Sequence, residues 1–521
     1  MSKERHRKSD RVGVYICHCG GNISDHVDVE KVRRDVEKLP GVAVARTNMF
    51  MCSDPGQELI IRDLRQGLVD RVVVASCAPS LHEATFRSAI ARAGANPYIY
   101  DHANIREHVS WVLHGDKATA KAEKLVAAAV GKARLLEPLT PIHVEARRHV
   151  TVIGGGIAGM TAARLLADRG LEVVLIEKSP YLGGHVARLD SVAPFGEKAA
   201  DLVSELAGSV LDHEAITVLT GTRVKGFDGY VGNFDLRVCP VAAQEKQETG
   251  YVAFRGVAGG GLPESIIRTG AVILATGFRD YQPRRGEFGH GEYAGVVTLP
   301  EFIRLFASAE KSGDCLALDG RTIRSLAMIH CVGSRQIPGI HEEDGNGYLN
   351  EYCSRTCCSA VLHAACRIRE RFPGTRVHDL YRDIRTYGRG QEDLYTRASE
   401  NGVVFYRFTP DAPPRVEPGQ GGEEGDFPLR VTLEDGLTFG EEVRMGVDLV
   451  VLATGMEAGD IEELVAMLKL PVGADRFLQE VHPKLAPVET SVAGVFLAGT
   501  AQAPMTIGEA CNGAAAAAVK A

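Results

Sequence analysis

Four cysteines stand in the stretch IHCVGSRQIPGIHEEDGNGYLNEYCSRTCC: Cys331, Cys353, Cys357 and Cys358. Cys331 closes an apolar, strand-like run, SLAMIHC, and Cys353 follows 22 positions later. Gly333, Gly339, Gly345 and Gly347 loosen the loop between them. Where disulfides are disfavoured, four thiolates can hold structural zinc or an iron–sulfur cluster. Zinc sites usually come as two knuckles, each pairing cysteines about two to four residues apart. A lone Cys331 and an adjacent Cys357-Cys358 pair fit that pattern poorly. Spacing therefore favours a cluster, with zinc and unliganded or redox-paired thiols as open alternatives.

A second set lies near the N-terminus. RVGVYICHCGGNI reads as a buried strand entering a glycine turn at Cys17 and Cys19. A helix (DVEKVRRDVEKLPG) and a strand (VAVARTNMFMCS) lead to Cys52, and a helix with Pro in its first turn leads to RVVVASCAPS and Cys77. Another helix, HEATFRSAIARAG, precedes the strand NPYIYDHAN, and an Ala-rich helix over 116–135 leads away. This alternation predicts a small parallel α/β domain. Cys17, Cys19, Cys52 and Cys77 fall at the carboxyl ends of its strands, where open α/β sheets bind ligands. They are either ligands of a second cluster or small buried hydrophobes.

The most specific motif is RHVTVIGGGIAGMTAARLLADRGLEVVLIEKSP. Gly154, Gly156 and Gly159 supply G-x-G-x-x-G between a strand and a helix. The first permits the tight turn, the second admits a pyrophosphate, and the third lets the helix pack on the strand. Glu177, with Lys178 beside it, ends the second strand 18 residues after the last glycine, where a carboxylate can bind a ribose diol. Gly183-Gly184 resembles the second glycine pair of two-dinucleotide-domain flavoproteins, and it favours FAD over NAD. His185 follows that pair and is read either as a neighbour of the flavin ring or as an ordinary surface or core histidine.

Further signatures fit the same architecture. ITVLTGTRVKGF reads as a strand pair, with Val224 placed for a backbone contact to adenine. Ala275, Thr276 and Gly277 form one ATG strand-to-turn signature, and LVVLATGM over 449–456 repeats it. In such flavoproteins these mark the crossings between the FAD domain and a second domain. AGVFLAGTAQAPMTIGEACNGAAAAAVKA closes the FAD fold through a turn at Gly499-Thr500 and a helix starting near Thr506 and Ile507, aimed at the flavin pyrimidine edge. Most such proteins carry Asp where this chain has Thr500. No second G-x-G-x-x-G lies between the ATG signatures. Cys331 stands at the strand where it would begin.

The remaining composition is that of ordinary folded protein. The chain has 521 residues, a net charge of −8 and 45% hydrophobic residues. It gives no general reason to expect nucleic acid, and no apolar run is long enough to span a membrane. The basic N-terminus is followed by no apolar signal region. With 12 clustered cysteines, it points to a reducing, cytoplasmic setting. Residues 1–10 are expected to form a polar tail, 409–429 an exposed loop, and the last helix to be still running at Ala521. Cys239, Cys315, Cys366 and Cys511 lack partner spacing and read as ordinary buried cysteines.

Taken together, VYICHCGGNI, MCSDPGQELI, ASCAPSLHEATFR, NPYIYDHANIREH, GGGIAGMTAARLLADRG, YLGGHVARL, HCVGSR, YCSRTCC, DIRTYG and AGTAQAPMTI resemble the A-type subunits of heterodisulfide reductase, over residues 11–521. The resemblance implies an α/β fold. A small N-terminal parallel domain precedes a thioredoxin-reductase-like two-domain flavoprotein fold. The boundaries expected are 1–135 for the N-terminal domain with its helix, 136–147 for a linker, 148–290 and 446–521 for the FAD-binding domain, and 291–445 for the second domain. It also implies FAD, a 4Fe–4S cluster at Cys331, Cys353, Cys357 and Cys358, and a second at Cys17, Cys19, Cys52 and Cys77. Members often carry a cysteine near the position of Val109, and many carry ferredoxin modules. No C-x2-C-x2-C-x3-C run occurs in this sequence, and the short segment over 232–256 has only Cys239.

The implied function is that of an electron-transfer subunit, with flavin-based electron bifurcation or a simple relay to a quinone- or disulfide-linked module as its two forms. Partners would be other iron–sulfur and redox subunits, with ferredoxin or a hydrogenase or dehydrogenase module among them, and a homodimer within the complex. The rivals are a stand-alone NAD(P)H:disulfide oxidoreductase using Cys357-Cys358 and a zinc-binding scaffold. No acid–base pair or nucleophile demands a catalytic role.

Overall fold

A computed structural model describes residues 11–241, 264–419 and 426–521. The N-terminal tail over 1–10 and most of the short segment over 232–256 fall outside the described residues. The chain divides into two compact units: Met1–Val144 with Lys484–Ala486, and Glu145–Pro483 with Pro487–Ala521.

In the first unit four strands, β1 (Val12–Cys17), β2 (Val42–Asn48), β3 (Arg71–Ser76) and β4 (Tyr100–Asn104), form a wholly parallel sheet in the order β2-β1-β3-β4. β1 and β3 are apolar almost throughout and buried on both faces, as a covered parallel sheet requires. Helices α1 (Val29–Val36), α2 (Asp54–Arg65), α3 (Pro79–Arg92) and α4 (Gly115–Ala133) cover it. Asp28 caps α1 by accepting the Lys31 amide, and Ser53 caps α2 by accepting the Gly56 amide. The chain leaves β1 to one side and returns to β3 on the other, so the crevice beyond their carboxyl ends is a topological switch point. Cys17 ends β1 and Cys77 follows β3 at that crevice.

The second unit contains two five-stranded parallel sheets that match in order and differ in the edge strand, which comes last along the chain in the first sheet and first in the second. One runs Val495–Leu497, Ala271–Leu274, His149–Ile153, Glu172–Ile176, Ile216–Leu219. The other runs Val296–Thr298, Leu449–Thr454, Ser325–Val332, Arg376–Tyr381, Val404–Arg407. Each is accompanied by a three-stranded antiparallel sheet: Thr222–Tyr230, Asn233–Pro240 and Ser265–Thr269 for the first, Arg415–Pro418, Leu429–Asp435 and Glu441–Val447 for the second. The segments just after the two ATG signatures, Phe278–Asp280 and Met456–Ala458, pair antiparallel with each other. The two crossings between layers thus form one ribbon.

Two expectations need correction here. Ile216–Leu219 and Thr222–Tyr230 are both strands but not a pair. Gly221, at φ +58°, turns the chain from the parallel sheet into the antiparallel one. The Pro- and Gly-rich stretch over 409–429 is not all loop. Arg415–Pro418 adds an edge strand, with Val416 opposite Val431 and Pro418 at its end, where an edge tolerates a missing N–H.

Candidate functional site: a glycine cradle beside a cysteine loop

The glycine turn follows His149–Ile153 at the switch point of the first parallel sheet. Gly154 sits at φ +114°, and a Cβ there would lie 2.1 Å from the Ala275 carbonyl oxygen. The turn therefore packs directly on the first ATG signature. A Cβ on Gly159 would lie 1.8 Å from the Gly154 oxygen, so helix Ile157–Ala167 approaches its strand as closely as backbone allows. Gly156 differs from both. A Cβ on it would meet nothing nearer than the Gly184 Cα at 4.0 Å. The surface over Gly156 is bare, and Gly156 bridges to Gly183 of the second glycine pair.

Glu177 is buried, and its two oxygens accept the Gly155 amide at 2.6 Å and the Ser179 amide at 2.7 Å. Lys178 points away from the turn to Asp460 at 3.8 Å. His185 stacks on Phe278, ring centroids 3.9 Å apart, and its Nε2 lies 2.8 Å from the Phe278 carbonyl. Val224 is buried in the antiparallel sheet beside a register shift. Gly499 and Thr500 open a short turn before helix Ile507–Lys520. Thr506 caps that helix in a reciprocal box with Glu509. The Thr276 and Thr454 hydroxyls, one in each ATG signature, are buried without a hydrogen-bond partner. An orphaned buried hydroxyl beside an open glycine turn suits a polar ligand. A dinucleotide diphosphate fits this cradle.

The second parallel sheet repeats this plan with cysteines in place of glycines. Ser325–Val332 occupies the position of His149–Ile153, and helix Cys357–Arg371 that of the glycine-loop helix. A register shift between Ile329 and Val332 bulges the strand at Cys331, which is held at φ +61°. Non-glycine residues seldom adopt that conformation. Four of the nine described residues that do so, Cys19, Cys331, Arg335 and Arg355, belong to the cysteine loops or adjoin them. The Cys357 thiol is pushed up by burial and then by the thiols of Cys358, Cys331 and Cys353. The other three thiols therefore lie within electrostatic reach of Cys357. The Arg355 amide donates to Cys353 Sγ at 3.3 Å. Among the described residues, no three His, Cys, Asp or Glu side chains converge on a point one ion would occupy.

Charged groups outside the cysteine motif lie near these thiols. His330 and Asp379 are wholly buried, with Nε2 and Oδ1 2.8 Å apart, yet neither side chain is aligned for a hydrogen bond. Burial works against ionising Cys358, but His330 outweighs it and holds the thiol below its usual range. A buried pair of this kind adds little net stability, although removing one partner costs about 3–5 kcal/mol. Arg335 reaches Cys331 Sγ at 3.8 Å and Asp383 at 2.6 Å, while Arg382 donates to the Arg335 carbonyl at 2.8 Å. The only sequence signal for these groups is the presence of His330 in an otherwise apolar strand and of Asp379 inside a buried one.

In the first unit, Cys17 Sγ accepts the Cys19 amide at 3.3 Å and the Met51 amide at 3.4 Å. Contact between the two thiols pushes Cys17 up and pulls Cys19 down to about 6, with Arg106 Nη1, 3.4 Å from Cys19 Sγ, adding to the second effect. Cys52 and Cys77 are raised mainly by burial and also feel Cys19 and Arg106. Cys17 and Cys19 are thus in contact, and Cys52 and Cys77 lie within electrostatic reach of Cys19. Of the four cysteines read as ordinary and buried, only Cys366 is buried. Cys239, Cys315 and Cys511 are only partly buried.

Two parallel layers joined by an ATG ribbon, one with a diphosphate cradle and the other with thiols in the equivalent place, define an oxidoreductase of the dinucleotide-binding class. A family profile for an NAD(P)-binding Rossmann-like domain matches residues 152–223. One of two A-type iron-sulfur subunits of the CoB–CoM heterodisulfide reductase of Methanopyrus kandleri, numbered 2, is 36% identical, over 98% of this chain and 85% of its own length. The A-type subunit of the H2:CoB-CoM heterodisulfide,ferredoxin reductase of Methanothermobacter marburgensis is 37% identical, over 100% of this chain and 86% of its own. The chain belongs to the family of heterodisulfide reductase A-type subunits. The crystal structure of Thermoplasma acidophilum thioredoxin reductase matches 72% of the chain and 98% of its own at 15% identity, with a TM-score of 0.44. That likeness is too distant to carry weight, and the fold class rests on the sheet order itself.

Proposed function

We propose that the chain is the FAD- and 4Fe–4S-containing electron-transfer subunit of a heterodisulfide-reductase-like complex in the cytoplasm. Residues 148–290 and 446–521 are assigned to FAD, 291–445 to the cysteine layer, and 1–135 to a second cluster domain. The observation carrying this reading is positional: the thiols of Cys331, Cys353, Cys357 and Cys358 stand where a second dinucleotide domain would place its phosphate loop. FAD exchanges one or two electrons and a cluster passes single electrons. Gly156 and Gly184 would admit the diphosphate, Glu177 the ribose, and the Thr506–Ile507 helix end the flavin edge. Backbone amides at Cys17 and Cys353, with Arg335, His330 and Arg106 near the sulfurs, would stabilise sulfur-rich anions.

Partner subunits with their own iron–sulfur centres would supply and remove the electrons. The curated relatives named for ferredoxin or hydrogen support that class of partner. Redox titration distinguishes the two forms of the proposal. Strongly crossed one-electron flavin potentials mark bifurcation, and uncrossed ones mark a simple relay.

The NAD(P)H-dependent alternative makes an opposite prediction. A Cβ on Gly333 would lie 2.0 Å from the Tyr281 ring, so that ring fills the turn a nicotinamide dinucleotide would need. Anaerobic NADH added to the purified protein is expected to leave the flavin absorbance unbleached. Bleaching within seconds would instead support the stand-alone disulfide oxidoreductase.

A further inference from the structure

Arg355 lies between Cys353 and Cys357 and makes four bonds in three directions. Its amide donates to Cys353 Sγ at 3.3 Å. Nε donates to the Tyr387 hydroxyl at 2.6 Å, Nη1 to the Pro504 carbonyl at 3.1 Å, and Nη2 to Glu509 Oε1 at 2.6 Å. The other oxygen of that carboxylate, Glu509 Oε2, accepts both the amide of Thr506 at 2.8 Å and its hydroxyl at 3.1 Å. One guanidinium thus holds the carboxylate that caps helix Ile507–Lys520, while its own backbone contacts a thiol of the cysteine loop. Arg355 also sits at φ +62°, a conformation that contacts on both sides must sustain. Burial opposes ionising Glu509, but the Thr506 amide and Arg355 outweigh it and keep the carboxylate charged.

Resting on the proposed function, we infer that Arg355 is a positioning residue that locks the cluster loop to the flavin-facing helix end. It fixes the separation and orientation of the two redox centres, so electrons pass between them without movement of one layer against the other. Lysine could keep the charge but not the fork that reaches Pro504 and Glu509 together.

The test uses the full chain with both cofactors, comparing wild type, Arg355→Met, Arg355→Lys and Glu509→Gln. In the Met variant, with iron, sulfide and flavin contents unchanged, flash-induced electron transfer from flavin to cluster should slow by about tenfold or more. Hydrogen exchange should accelerate together at 353–358 and 504–509. The Lys variant should fall between Met and wild type. Should Arg355→Met be isolated without its iron, Glu509→Gln decides, since it weakens the same clamp while every residue of the cysteine loop stays unchanged. A fully loaded variant with wild-type transfer, or faster exchange in one segment alone, overturns the inference. Wild-type protein lacking iron and sulfide instead overturns the proposed function, a distinguishable failure.

Discussion

Gly156→Val is expected to give folded protein that has lost its flavin. Gly156 sits at φ −76°, ψ −177°, an extended conformation any residue adopts, and the nearest atom to an added Cβ is 4.0 Å away. The added Cβ therefore has ordinary clearance from the protein. It projects into the space the diphosphate would use. FAD affinity should fall by about 100-fold or more, about 2.8 kcal/mol at about 1.4 kcal/mol per tenfold. The melting temperature of flavin-free protein should stay close to that of flavin-free wild type. Gly159→Ala is the contrasting control. Its methyl would lie 1.8 Å from the Gly154 oxygen, so it should destabilise the layer itself, by about 1–3 kcal/mol or more. Bound flavin measured by absorbance, alongside thermal unfolding, separates the two. A Gly156→Val protein that retains its flavin would contradict the cradle.

Cys357→Ser is expected to lose one cluster and keep the other, with FAD still bound. Cys357 begins its helix, is partly buried, and lies within electrostatic reach of the other three thiols. A serine oxygen is a poor substitute for a thiolate ligand. The N-terminal thiols belong to a separate compact unit, and the glycine cradle belongs to the other parallel sheet. About half the iron and sulfide should therefore disappear while the flavin content holds. Cys17→Ser should remove the complementary half. Unchanged iron in Cys357→Ser would remove this residue from the ligand set.

Much of this arrangement can be read directly along the chain, because its signals are local. Alternating strands and helices place Cys17, Cys52 and Cys77 at strand ends, and the three glycines carry their own strand–helix–strand context. The position of Cys331 is legible by comparison within the chain, as the strand where a second glycine turn is missing. Features that depend on distant pairings were not legible. His330 meets Asp379 only because their strands are neighbours in the sheet. Arg355 finds Glu509 across 154 positions. The edge strand Arg415–Pro418 exists because Leu429–Asp435 offers it a partner. The partial exposure of Cys239, Cys315 and Cys511 likewise depends on how layers cover one another, which residue type alone does not encode.

A flavin and two clusters on one polypeptide are the cofactors proposed for this chain. Anaerobic analysis of iron, acid-labile sulfide, zinc and flavin in the purified protein tests this assignment most directly. About eight iron, about eight sulfide and about one FAD per chain are expected, with zinc negligible. Zinc without sulfide, or cysteines that retain no metal beside a bound flavin, would contradict it.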